Sequence, residues 1–179
     1  MLTTSALVLA LAAAPADDVR LRGGIGLTGS AGYSFSPSTA GASPGLDVEI
    51  GLTIRDTVAL VLRATGGTII VSSAIVTDAA IEFALSERFY ISAGLGLGWL
   101  GPLGDNNVPI AVNLVAPARF SWLFARNGNR SGFQAFFELA PGIRLTNVTG
   151  SPDVPGPNPP GVRAPLMGIA TLGVGYAWK

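Results

Sequence analysis

From residue 19 to the end of the sequence, apolar and polar positions keep alternating with a period of two. In 19–35 one parity carries Val19, Leu21, Ile25, Leu27, Ala31, Tyr33 and Phe35. The other carries Arg20, Arg22, Gly24, Gly26, Thr28, Ser30, Gly32 and Ser34. Successive side chains of an extended chain point to opposite faces, so this segment reads as a strand with one oily face. The pattern returns in 45–55, 58–66, 78–85, 89–99, 110–122, 133–145 and 166–178. Eight strands are expected, an even number. The segment 68–77 (TIIVSSAIVT) does not alternate: it extends both neighbouring strands around Ser72-Ser73 or forms an apolar loop tip.

The connections alternate in length. Segments 36–44, 101–109 and 146–163 are long and rich in Gly, Pro, Ser and Asn, whereas 55–57 and 86–88 are tight and 126–131 is polar with an Asn-Gly turn pair. The long connections follow the first, fifth and seventh strands and so fall at one end of an up-and-down barrel. Long outer loops opposite short periplasmic turns are the usual arrangement in outer-membrane barrels.

Composition sharpens this reading. Charged residues make up 12% of the chain and hydrophobic ones 49%, where a soluble domain carries about 25% charge. Mean hydropathy is +0.49, yet no apolar run approaches the ~20 residues of a membrane helix. High hydropathy without a spanning helix leaves three options: a buried α/β core, an aggregate, or a barrel that turns its oily face to lipid. Eleven basic and eleven acidic residues balance to zero, which gives no reason to expect a nucleic-acid partner. There is no cysteine and no histidine. Disulfides, thiolate metal sites and the commonest general base are therefore excluded, and no cofactor is expected.

The first sixteen residues read as a secretory signal peptide. ALVLALAAA at 6–14 has h-region length, Ala14-Pro15-Ala16 supplies a small-x-small cleavage site, and Asp17 opens a polar mature chain. The expected division is a signal peptide at 1–16 and a barrel domain at 17–179.

Alternation alone does not say which way the oily face points. The other face is mostly Gly, Ser, Thr and Ala with scattered charges, too thin for a solvated surface. Aromatic residues also collect at strand ends. Phe89, Phe120, Trp122, Phe133, Tyr176 and Trp178 fall toward one rim, and Tyr33, Phe35 and Trp99 toward the other, as in the aromatic belts of membrane interfaces. The inward face then holds Arg20, Arg22, Asp47, Glu49, Arg63, Glu82, Arg119, Glu138 and Arg144. These charges need partners, so a lumenal ion-pair network is expected. The lumenal glycines either leave room for Arg, Tyr90 and Phe136 or ease strand curvature.

The last strand carries a family resemblance. Thr171-x-Gly173-x-x-Tyr176-x-Trp178 resembles the terminal signal read by the outer-membrane assembly machinery, although Lys179 follows where an aromatic usually ends the motif. With the leader and the strand count, the chain resembles small outer-membrane barrels of the OmpA-transmembrane, OmpX and opacity-protein type. That resemblance implies an eight-stranded antiparallel transmembrane β-barrel in a Gram-negative outer membrane, with the bilayer and the assembly machinery as partners. It implies no reaction.

Two motifs point elsewhere. Gly24-x-Gly26-x-x-Gly29 spells a dinucleotide pattern, but strand alternation runs straight through it and no helix follows. Asp47 and Glu49 are a carboxylate pair of the kind that does acid/base work, but as i, i+2 neighbours they fit better as partners of Arg20, Arg22 or Arg63. The expected role is non-catalytic: a structural or surface-interaction barrel acting through its loops, with no named ligand and as a monomer. The alternative is a narrow channel for small polar solutes.

Overall fold

A computed structural model describes residues 19–35, 38–54, 56–69, 72–101, 110–127, 131–148 and 166–179. The expected signal peptide and the proline-rich stretch at 151–160 lie outside the described residues. Among the described residues nine strands form: β1 (Val19–Phe35), β2 (Ser38–Ile54), β3 (Val58–Ile69), β4 (Ser72–Ala84), β5 (Phe89–Gly101), β6 (Ile110–Val115), β7 (Ala118–Asn127), β8 (Ser131–Val148) and β9 (Leu166–Trp178). Every pairing is antiparallel, and β9 returns to pair with β1, so the sheet closes.

The ring has eight staves, because β6 and β7 are two halves of one. Both lie between β5 and β8, and they are separated at Ala116-Pro117. Pro117 has no N–H to give to a ladder, and the stave is interrupted there. Ala116 N donates to Pro141 O at 2.8 Å and Gly94 N to Pro117 O at 2.9 Å across the break.

The register fixes the barrel's shape. Starting at Val19, successive partners are Ile54, Val58, Phe83, Ile91, Phe120, Phe137, Leu172 and then Gly29, which is 29 − 19 = 10 residues along the starting strand. A stagger of about 33 Å along the strands, set against eight strand spacings that total about 38 Å perpendicular to them, tilts the strands by about 40°.

At one end, called lower here, lie the start of β1, the turns joining β2 to β3 and β4 to β5, and the paired ends of β7 and β8 at Asn127 and Ser131. Asp56 adopts φ 60° in the first of these turns, a conformation that Asp tolerates. In the second, the Ser86 hydroxyl accepts from Arg88 N and Phe89 N at 3.2 Å each.

Several boundaries differ from the sequence expectation. Phe35 pairs with Ser38, so 38–44 is strand rather than the expected long loop. Gly41 and Ser43 fall on the inward parity and are buried, which continues the alternation through small residues. Ile69 pairs with Ser72, so 68–77 extends β3 and β4 and is not an apolar loop tip. β8 runs on to Val148, where it pairs with Ile110, so 146–148 belongs to a strand.

The two faces are chemically opposite. Leu21, Ile25, Leu27, Ile50, Leu62, Leu95, Leu172 and Val174 stand exposed on the outside. Arg22, Asp47, Glu49, Arg63, Asp78, Glu82, Arg119, Glu138 and Arg144 are buried inside.

Candidate functional site

The lumen is the candidate site, and it is layered. At the lower end Arg22 on β1 reaches toward β2 and β4. Its Nη1 donates to Glu82 Oε1 at 2.6 Å and its Nη2 to Glu49 Oε1 at 3.0 Å. Lys179 folds inward over the Tyr90 ring, 4.0 Å from its centroid, and donates to the same Glu82 oxygen at 2.8 Å.

The next layer is built around Arg119 on β7. Its Nη1 and Nη2 grip Asp47 at 3.1 and 2.7 Å, and its Nε donates to Glu138 at 2.8 Å. Nη2 also donates to Thr65 Oγ1 at 2.6 Å, and Thr65 donates to Asp47 at 2.7 Å. Glu49 Oε2 lies 3.8 Å from Nη1, which joins this layer to the one below. The flat guanidinium also sits 3.9 Å from the centroid of the Phe136 ring. A planar fork with several donors can satisfy two carboxylates and a ring face together, as a lysine ammonium cannot. Beside it, Arg63 donates to Asp78 at 3.0 Å and to Ser92 at 2.8 Å.

Glycines on the inner wall make these side chains fit. A Cβ on Gly173 would lie 2.3 Å from the Phe136 ring, and one on Gly94 2.7 Å from Asp78 Oδ2. The glycines thus give space to bulky lumenal groups.

Above the charges the lumen changes character. Ala74, Val76, Leu100, Val115, Ala140, Met167 and Ile169 form one apolar cluster, each at most 4% exposed. Five staves contribute to it, and β1 faces it with Gly32, where a Cβ would meet Leu100 Cδ1 and Ile169 Cγ1 at 2.9 Å each. Ser30 and Thr171, hydrogen-bonded at 2.9 Å, lie between the charges and this cluster. Further along β8, beyond Ala140, Arg144 donates to Ser34 Oγ at 3.0 Å.

The sequence-named residues thus divide. Arg22, Asp47, Glu49, Arg63, Glu82, Arg119 and Glu138 come together in the lower half. Arg144 stands apart at the upper end. Arg20 is a correction: its side chain is 62% exposed and lies 3.6 Å from Asp56. It sits at the rim, one turn of the inward parity below Arg22, where the lumen opens to solvent. Asp78 and Lys179 belong to the lumen although the sequence reading omitted them. Asp78 follows from its position opposite Arg63; Lys179 carried no signal beyond its parity. With both included, the described lumenal charge is balanced: Arg22, Arg63, Arg119, Lys179 and the separate Arg144 number as many as Asp47, Glu49, Asp78, Glu82 and Glu138. Among the described residues no group of three or more acidic side chains is disposed to hold a metal ion.

On the outside, lower-end aromatics form a continuous belt. Phe89 stacks with Phe120 at 5.7 Å and with Trp122 at 6.3 Å. Phe124 joins Trp122 at 5.7 Å and Phe133 at 6.4 Å, and Phe133 meets Tyr176 edge-on at 5.7 Å. Phe124 completes this belt and was not among the aromatics expected there. Of the residues resembling a terminal assembly signal, Tyr176 and Trp178 face outward, while Thr171 and Gly173 face the lumen.

No protein-family model matches the sequence, and no curated protein sequence matches it. The fold does have a counterpart. The crystal structure of Neisserial surface protein A superposes with a TM-score of 0.53 at 12% identity, covering 88% of this chain and 97% of that one. The chain therefore shares the fold of a bacterial surface-protein barrel.

Proposed function

We propose that this chain is a monomeric, non-catalytic outer-membrane β-barrel of a Gram-negative cell, exported by its 1–16 leader, with a structural or surface-interaction role. One observation carries the reading: a closed sheet turns Leu, Ile, Val and aromatic side chains outward and keeps its ion pairs inside. In water that arrangement would expose a continuous apolar wall far larger than soluble monomers carry. In a bilayer the same wall is solvated by acyl chains, and closure satisfies every strand's backbone groups. The belt from Phe89 to Tyr176 would lie at the periplasmic interface, which puts the upper end outside the cell. The connections 102–109 and 149–165 then become the extracellular contact surface. Thr171, Gly173, Tyr176 and Trp178 would form the strand read by the assembly machinery.

Cell fractionation with gel mobility tests this. The protein should partition with outer membranes and migrate faster unheated than boiled. Recovery as a soluble periplasmic monomer would overturn the reading. The alternative of a polar channel gains no support from the described lumen, where the charged layers end against the apolar cluster.

A further inference from the structure

We propose that the apolar cluster around Leu100 and Ile169 is a watertight septum, and that this septum, rather than the ion-pair cluster, is the seal of the lumen. The proposal rests on the reading of the chain as a membrane-spanning barrel and adds a device within it.

Three observations support the assignment. The cluster is continuous: Val76 and Ala74 on β4, Leu100 on β5, Val115 on β6, Ala140 on β8, and Met167 and Ile169 on β9 are packed in one buried group. It also reaches the opposite wall. Leu100 on β5 comes so close to Gly32 on β1 that a Cβ there would lie 2.9 Å from its Cδ1, and Ile169, the ladder partner of Gly32 on the adjoining β9, lies at the same distance. Finally, the wall around it is fitted to it, since Cβ atoms on Gly98 and Gly142 would each lie 2.8 Å from Val115 Cγ1.

The two layers differ in what they can exclude. The charged layer contains buried polar atoms without protein partners, among them Arg22 Nε, Arg63 Nε, Asp78 Oδ1 and Glu138 Oε1. Buried polar atoms of this kind are ordinarily satisfied by water. A layer able to hold water is a poor barrier to it. The septum's own side chains are all apolar, the adjoining Asn113 amide is tied to the wall through its Nδ2 on Gly98 O at 3.1 Å, and a hydrophobic constriction excludes water and ions by dewetting.

The experiment is single-channel recording in planar bilayers, using protein whose gel mobility shift shows it folded. The unaltered protein should give no openings. Leu100→Ser with Ile169→Ser should give discrete openings, and the milder pair Leu100→Thr with Ile169→Thr should do the same if the serine pair does not fold. Arg119→Met with Asp47→Asn and Glu138→Gln dismantles the central ion pairs, removing one cation and both of its carboxylate partners, and it should stay silent. Openings from unaltered protein, silence from a folded septum variant, or openings from the ion-pair variant would each overturn the assignment. Failure of the membrane reading itself would appear separately, as protein that shows no mobility shift and does not enter the bilayer.

Discussion

Leu100 on β5 ends against Gly32 on β1, on the opposite wall of the barrel, and the contact exists because position 32 has no side chain. A Cβ at Gly32 would lie 2.9 Å from Leu100 Cδ1, inside ordinary contact distance. A bulkier residue there must displace Leu100 and Ile169.

Gly32→Val should therefore destabilise the folded barrel by about 1–3 kcal/mol, the usual cost of overpacking. Leu100→Ala made on the same chain should return part of that loss. Guanidinium unfolding in detergent micelles, run as a double-mutant cycle, would measure a coupling between the two positions of about 0.5–3 kcal/mol. Additive effects would show that the two walls do not meet.

Arg119 is held by Asp47, Glu138, Thr65 and the Phe136 ring. Arg119→Met leaves two buried carboxylates facing each other without a cation. The expected loss is about 3–5 kcal/mol, typical of removing one partner from a buried pair. Adding Asp47→Asn and Glu138→Gln should restore much of it, because the cost lies in the orphaned charge rather than in the lost attraction. Unfolding midpoints of the three proteins would check the order.

The strand pattern made most of this architecture legible. Alternation gave the staves and the two faces, and parity alone placed Arg22, Asp47, Glu49, Arg63, Glu82, Arg119 and Glu138 inside. It failed where small residues hide the period, as at 38–44, where Gly41 and Ser43 continue an inward face that reads as a loop. The septum was less legible for a different reason. Val76, Leu100, Val115, Met167 and Ile169 are apolar residues on the polar parity, so in sequence they look like lapses in the pattern. What distinguishes them is that Val76, Leu100, Met167 and Ile169 lie toward the upper ends of their strands and Val115 in the upper half of its interrupted stave, a relationship created by the register. Arg20 shares the parity of Arg22 but not its burial, because parity carries no information about depth.

Tyr176 and Trp178 both face outward at the lower end, and Tyr176 packs edge-on against Phe133. If they form the face read by the assembly machinery, changing both to Ala should leave protease-sensitive, unassembled protein in the periplasm. Pulse–chase with protease digestion would follow this. Wild-type yield of folded barrel would show that the aromatic pair serves only the membrane interface.

The most direct test of the account asks what each face of the wall touches. The chain has no native cysteine, so single nitroxide labels can be placed at will. Leu95 on β5 and Val174 on β9 point outward, at 66% and 55% exposure, whereas Ser92 and Thr171 on the same strands point inward at 2% each. Labels replacing Leu95 and Val174, in protein folded into lipid vesicles, should collide readily with oxygen and scarcely with a water-soluble nickel chelate. That result places the outer wall in hydrocarbon. Ready collision with the chelate and poor collision with oxygen at both positions would put the wall in water and contradict the membrane-spanning barrel.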